Sequence, residues 1–201
     1  IRGAPPEEHR ERRLVSTTLE ARQQVIGRLL WIARTTRPDV AQFASACGSR
    51  VLTWDGTCDR ELKRCMSYLR GSAAKVLPFF WRSDLAPRIV VHSDSDWLLP
   101  RSQSGVYVCV EDAWTDPGDP SGACLPIGWN STKQSVQTDS STAAELVAAH
   151  LAVKWGARLA LRYAPYVTAD FTAGKPTVAP ADLPPPLVLI DNSVCLGVCK
   201  G

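Results

Sequence analysis

Four carboxylates stand out in this 201-residue sequence. Asp94 and Asp96 lie in His92-Ser-Asp-Ser-Asp-Trp97, Glu145 in Ser140-Ser-Thr-Ala-Ala-Glu145, and Asp191 in Asp191-Asn192. Asp94 and Asp191 each follow an apolar, strand-forming run, Ile89-Val90-Val91 and Leu187-Val188-Leu189-Ile190. If those strands are parallel neighbours, both acids emerge at one edge of the sheet. Glu145 opens the helix that crosses between them. Carboxylates converging from three elements repel one another, and divalent cations neutralise that repulsion. Oxygen-only ligands favour Mg²⁺ or Mn²⁺ over zinc. Two such ions, about 3.5–4 Å apart, would activate a water and stabilise the leaving oxygen of a phosphodiester.

Each acid also has a plainer use. Asp94 and Asp96 suit a turn. Thr142-x-x-Glu145 matches a capping box, in which the carboxylate serves only its own helix start. Asp191-Asn192 suits a turn followed by a helix N-cap. The order of the acids along the chain, rather than any one of them, points to chemistry.

The elements that must position them read as follows. Residues 1–16 are charged and proline-bearing and form a mobile arm. Thr17-x-x-Glu20 is a capping box, and Val25, Ile26, Leu29, Leu30 and Ala33 then share a helix face. Pro38 opens a second helix with Val40, Phe43, Ala44 and Cys47 inward. A third starts at Asp59, with Leu62, Cys65, Met66 and Leu69 inward and Gly71 as its stop. After Ser72 the period turns strand-like, at Val76–Trp81, Arg88–Ser93, Gly105–Val110 and Pro126–Ser131. A long helix spans about 141–163, a Pro/Ala/Thr-rich loop 164–186, and a last strand ends before Asp191. Another helix is expected from Ser193. Two strands joined through a helix imply a right-handed crossover and a parallel pair. The fold class is therefore α/β, a mixed α+β sheet in residues 72–201, preceded by a small helical segment at 17–71.

A hydrophobic fraction of 45% with 21% charged residues supports a packed core. The formal charge of +3 permits a nucleic-acid partner without announcing one. Seven cysteines without a Cys-x-x-Cys pair indicate neither a zinc site nor a disulfide framework, and fit a reducing intracellular compartment. No apolar run is long enough to span a membrane. The seven tryptophans form no stripe and read as packing residues.

The motifs carry a resemblance. His92–Trp97, Arg101-Ser-Gln-Ser-Gly105, Trp129-x-Ser-x-Lys-Gln134, Ser140–Glu145 and Asp191-Asn192 together resemble the ribonuclease H domain of copia-class LTR retrotransposon polyproteins. Upstream, Ile26–Ala33, Thr36-Arg37-Pro38-Asp39-Val40 and Leu62–Gly71 resemble the segment those polyproteins carry between polymerase active site and ribonuclease H. The resemblance runs from about residue 22 to 196. It implies a ribonuclease H-like fold, two Mg²⁺ (or Mn²⁺) ions, and hydrolysis of the RNA strand of RNA/DNA hybrids. Asp94, Glu145 and Asp191 match the metal-binding, catalytic acids, with Asp96 a secondary candidate. Lys133, Gln134 and Asn192 fall in the same motifs and are assigned to nucleic-acid contact. The expected partners are an RNA/DNA hybrid and the rest of a polymerase polyprotein or a larger assembly, in cytoplasm, virus-like particle or nucleus.

Departures temper the match. Leu98-Leu99 replaces the usual Ala-Gly pair, Ala143 replaces an acid, and Leu146 replaces an aromatic residue. Two loops are enlarged, around 111–126 and 164–186. The sequence stops before the family's fourth acid, so the domain reads as C-terminally truncated, and the polymerase aspartates are absent. The alternative function is a co-opted noncatalytic copy serving as a structural or binding subunit.

His150, Lys154, Arg158 and Arg162 fall at four-residue steps on the long helix. A phosphate backbone would relieve their mutual repulsion. A solvated face is the plainer reading of the same stripe.

Overall fold

The computed structural model describes residues 18–77, 87–98, 100–112, 116, 124–167, 169–170, 175–176 and 186–191. The chain divides into two compact units, Ile1–Leu77 and Pro78–Gly201. The expected arm at 1–16, Asn192 and the helix from Ser193 lie outside the described residues.

The first unit is helical. Helix α1 spans Leu19–Thr35, and its cap is Thr18, whose extended backbone lets its hydroxyl accept from the Ala21 N–H at 3.2 Å. The cap thus falls one residue later than the Thr17-x-x-Glu20 pattern predicts. Pro38–Val40 forms a single 3₁₀ turn, and α2 follows at Ala41–Ser49. Helix α3, Gly56–Gly71, starts before Asp59 because Asp55 accepts from the Cys58 N–H at 2.8 Å. Leu29, Ala33, Val40, Ala44 and Leu62 form the core between these helices. Met66, expected inward, is exposed, as is Trp31.

Arg37 and Asp39 join the helix ends. The guanidinium grips Asp39 through two hydrogen bonds of 3.0 and 2.8 Å and donates to the Ser72 hydroxyl at 2.7 Å. Tyr68 donates to the same carboxylate at 2.6 Å, with Arg37 over its ring. The Thr36–Val40 motif therefore ties the α1–α2 corner to the end of α3.

The second unit is a four-stranded mixed sheet backed by one long helix. Strands β1 (Pro87–Asp96), β2 (Gln103–Asp112) and β3 (Cys124–Lys133) form an antiparallel meander. Helix α4, Ser141–Val167, crosses over. After a short pair, β4 (Ala169–Asp170) and β5 (Lys175–Pro176), strand β6 (Leu187–Ile190) lies parallel to β1. The order is β3-β2-β1-β6. The stretch expected as a plain loop, 164–186, thus contains the end of α4 and a small antiparallel pair. Val76 and Leu77 have no strand structure, and the remainder of the expected Val76–Trp81 strand lies outside the described residues.

Alternate residues on the strands build the face that α4 covers. Ile89 and Val91 of β1 and Val106, Val108 and Val110 of β2 are buried against α4, with Ala152 of the helix among them. Burial of each such valine contributes about 1.5–3 kcal/mol relative to exposure. Small residues at four-residue steps, Ala144, Ala148, Ala152 and Gly156, all lie buried on α4. They let the helix sit close to β1: a Cβ added at Gly156 would stand 2.6 Å from Val91 Cγ2. A register shift between Val108 and Cys109 places an extra residue in β3 next to Pro126, which suits a residue unable to donate to a ladder.

Candidate metal centre

Strand β1 runs through Asp96, so Asp94 and Asp96 are paired strand residues, opposite Gly105 and Gln103. They are not turn residues. The parallel pairing of β1 with β6 ends at Ser93 opposite Ile190, and the next residue on each strand is an acid, Asp94 or Asp191. Apolar runs paired in this register deliver both carboxylates to one end of the sheet.

Glu145 comes from the helix. The cap of α4 is Ser140, whose hydroxyl accepts from the Ala143 N–H at 3.2 Å while its carbonyl accepts from Ala144. Thr142 is already inside the helix, so the capping box imagined for Glu145 does not form. Its Oε1 instead accepts from the Ser95 backbone N–H at 3.3 Å. The residue is buried, and Oε2 has no hydrogen-bond partner. Burial raises the Glu145 pKa above its ordinary value; the Ser95 amide opposes the shift, and repulsion from Asp94 and Asp191 adds to it.

One carboxylate oxygen each from Asp94, Glu145 and Asp191 lies within 4.8 Å of the other two. Such a triad fits a divalent cation. Its donors are all oxygen, and the buried Glu145 Oε2 lacks any partner, the atom a cation would satisfy. Asp94 and Asp191 are exposed, which leaves the outer side open to a substrate.

Asp96 is engaged elsewhere. Its Oδ1 accepts from the Gln103 N–H at 2.6 Å and closes the β1–β2 end. Lys133 is exposed at the end of β3, opposite Gln103, at the same end of the sheet as the acids. Gln134 is buried, and its amide donates to the Ser104 hydroxyl and the Ala144 carbonyl, both at 2.9 Å. It clamps β2 to the first turn of α4 and so holds Glu145 in place. An internal clamp is a different use from the surface contact its motif implies. Lys154, Arg158 and Arg162 are all exposed along α4, with His150.

Supporting residues that the sequence did not single out belong to the same short motifs. Ser95 supplies the Glu145 anchor. Ser102 is buried; its carbonyl accepts from the Gln134 N–H at 2.8 Å, and its hydroxyl accepts from Leu98 at 3.3 Å. Trp97 donates to the Thr138 carbonyl at 3.2 Å, tying the loop after β1 to the approach of α4. Their signal was membership of a motif without an evident chemical role.

No protein-family model matches this sequence, and no curated protein does. No described helix is long and apolar enough to cross a membrane.

Proposed function

We propose that the chain is a retroelement-derived ribonuclease H that hydrolyses the RNA strand of RNA/DNA hybrids with Mg²⁺. The observation that carries this reading is the convergence of Asp94, Glu145 and Asp191 within 4.8 Å from two parallel strands and their crossover helix. The mixed sheet and crossover helix agree with the ribonuclease H-like fold implied by the motif resemblance.

A pair of divalent ions, when bound, supplies an activated water and stabilises the leaving oxygen. The chain's part is to hold and orient them. Glu145, fixed through Oε1 by Ser95, would offer Oε2 to an ion. Asp94 and Asp191 would hold the ions on the solvent side, where a scissile phosphate approaches. Lys133, at the same end of the sheet, suits a phosphate oxygen near the cut. The exposed Lys154, Arg158 and Arg162 extend positive charge along α4, which suits the backbone of a duplex.

The test is a hybrid carrying a labelled RNA strand, incubated with the 201-residue protein and Mg²⁺. The expected result is cutting of RNA in the hybrid, none of the DNA strand, and none after chelation. Intact RNA with both Mg²⁺ and Mn²⁺ would contradict the proposal and favour the noncatalytic, co-opted copy.

A further inference from the structure

The side of the sheet that carries His92 and Tyr107 holds chemistry of a different kind. Directly opposed residues of paired strands share a face. The pairs Arg88–Glu111, Val90–Cys109 and His92–Tyr107 therefore place His92, Cys109 and Glu111 on one face. One donor atom from each of His92, Cys109 and Glu111 lies within 4.8 Å of the others. Glu111 Oε1 is 3.4 Å from His92 Nε2 and 3.2 Å from Cys109 Sγ. Ligands of a tetrahedral zinc ion are separated by about 3.3–3.8 Å, given bonds of about 2.0 Å to nitrogen or oxygen and 2.3 Å to sulfur. The spacing suits that geometry without large movement.

Burial adds a second argument. Cys109 is fully buried and Glu111 nearly so, while His92 is partly open to solvent. An ion would enter past His92, the open donor, onto the two buried ones.

We propose that His92, Cys109 and Glu111 form a second metal site that selects Zn²⁺, with its fourth position left to water. Its mixed nitrogen, sulfur and oxygen donors favour a softer cation than Mg²⁺, so the two sites would divide divalent metals by ligand chemistry. Binding releases the Cys109 proton to solvent as the sulfur–metal bond forms. The site joins β1 and β2 and begins two residues before Asp94. Arg88 stands across from Glu111 in the register, and an ion pair there is the competing use of that carboxylate.

The experiment is a Co²⁺ titration of the reduced 201-residue chain in excess Mg²⁺, which keeps the carboxylate triad supplied with a hard cation. The expected result is one Co²⁺ per chain with a thiolate-to-cobalt charge-transfer band, displaced by Zn²⁺. His92→Gln, at a partly open position, should weaken binding at least ~10-fold. Cys109→Ser should remove the band if it folds; where it does not, His92→Gln decides alone. Asp94→Asn should leave the titration unchanged, which separates this site from the triad. No band in the parent, equal affinity in His92→Gln, or loss in Asp94→Asn alone would overturn the proposal.

Discussion

The Glu145 carboxylate accepts a hydrogen bond from the backbone N–H of Ser95 at 3.3 Å, across fifty residues of sequence. This bond fastens the first turn of α4 to the strand that bears Asp94, while the second oxygen is buried and unpartnered. Burial of that carboxylate makes Glu145 costly to the fold in its charged form and useful to a cation.

Glu145→Gln should therefore separate stability from function. The amide keeps the size and an acceptor for Ser95, and removes a buried charge beside Asp94 and Asp191. In chelator, its unfolding free energy should equal or exceed the parent's, while hybrid cleavage is lost. The sign with pH follows from the raised pKa of Glu145. The folded state holds the proton more tightly, so the parent's stability is full below the unfolded value of about 4.5. It falls as pH rises through the folded value. Denaturant titrations of the metal-free protein between about pH 4 and 7 should show this decline in the parent and lack it in Glu145→Gln. An equal decline in both would assign it to another group.

The close passage of α4 over β1 predicts that Gly156→Ala destabilises by overpacking. Val91 Cγ2 would lie 2.6 Å from the new methyl, and inserted methyl groups in packed cores cost about 1–3 kcal/mol. Val91→Ala removes the clashing atom. The double variant should be more stable than the sum of the single losses predicts, by ~0.5 kcal/mol or more in a denaturant double-mutant cycle. Additive losses would place the helix farther from the strand.

The exposed row of Lys154, Arg158 and Arg162 should act on binding and not on folding. Replacing all three with Gln leaves the core untouched and removes like-charge pairs worth a few tenths of a kcal/mol, roughly. Hybrid affinity should fall, with a shallower dependence on salt because fewer counterions are released. An unchanged slope would return the row to a solvated face.

In the helical unit, Arg37 first, and then Tyr68, hold Asp39 down to about 2. An acid with a depressed folded pKa stabilises the fold above its unfolded value and loses that contribution as pH falls through its folded one. The relevant window therefore runs down from about 3.8 to about 2. Asp39→Asn should flatten this acid limb of the unit's stability. The effect at neutral pH should be ~1 kcal/mol or less, since the Asp39 side chain is 36% exposed. A steep limb unchanged by the substitution would remove Asp39 as its source.

What the sequence disclosed depended on periodicity. The β-branched runs of β1 and β6 and the long α4 were legible, and so was the convergence of Asp94, Glu145 and Asp191, because strand ends and a crossover leave little freedom. Local caps were less so. Adjacent hydroxyls competed at 17 and 18 and again at 140 to 142, and the choice between them depends on backbone conformation rather than residue type. Gln134 looked like a surface residue because its motif carries charge; only the packing of α4 on β2 shows it buried. The His92, Cys109 and Glu111 group was hidden for a geometric reason. Its donors come from two strands, and a search for short cysteine spacings cannot find it.

Asp94 and Asp191 stand side by side at the sheet edge as the proposed metal ligands. The most direct measurement is the rate of RNA cleavage in an RNA/DNA hybrid by Asp94→Asn and Asp191→Asn against the parent, at saturating Mg²⁺. Each substitution keeps the side chain's size and removes a charge at an exposed position, so folding should be unaffected. The predicted result is a rate lowered about 100-fold or more in each variant, with unfolding midpoints close to the parent's. Cleavage by either variant at the parental rate would contradict it.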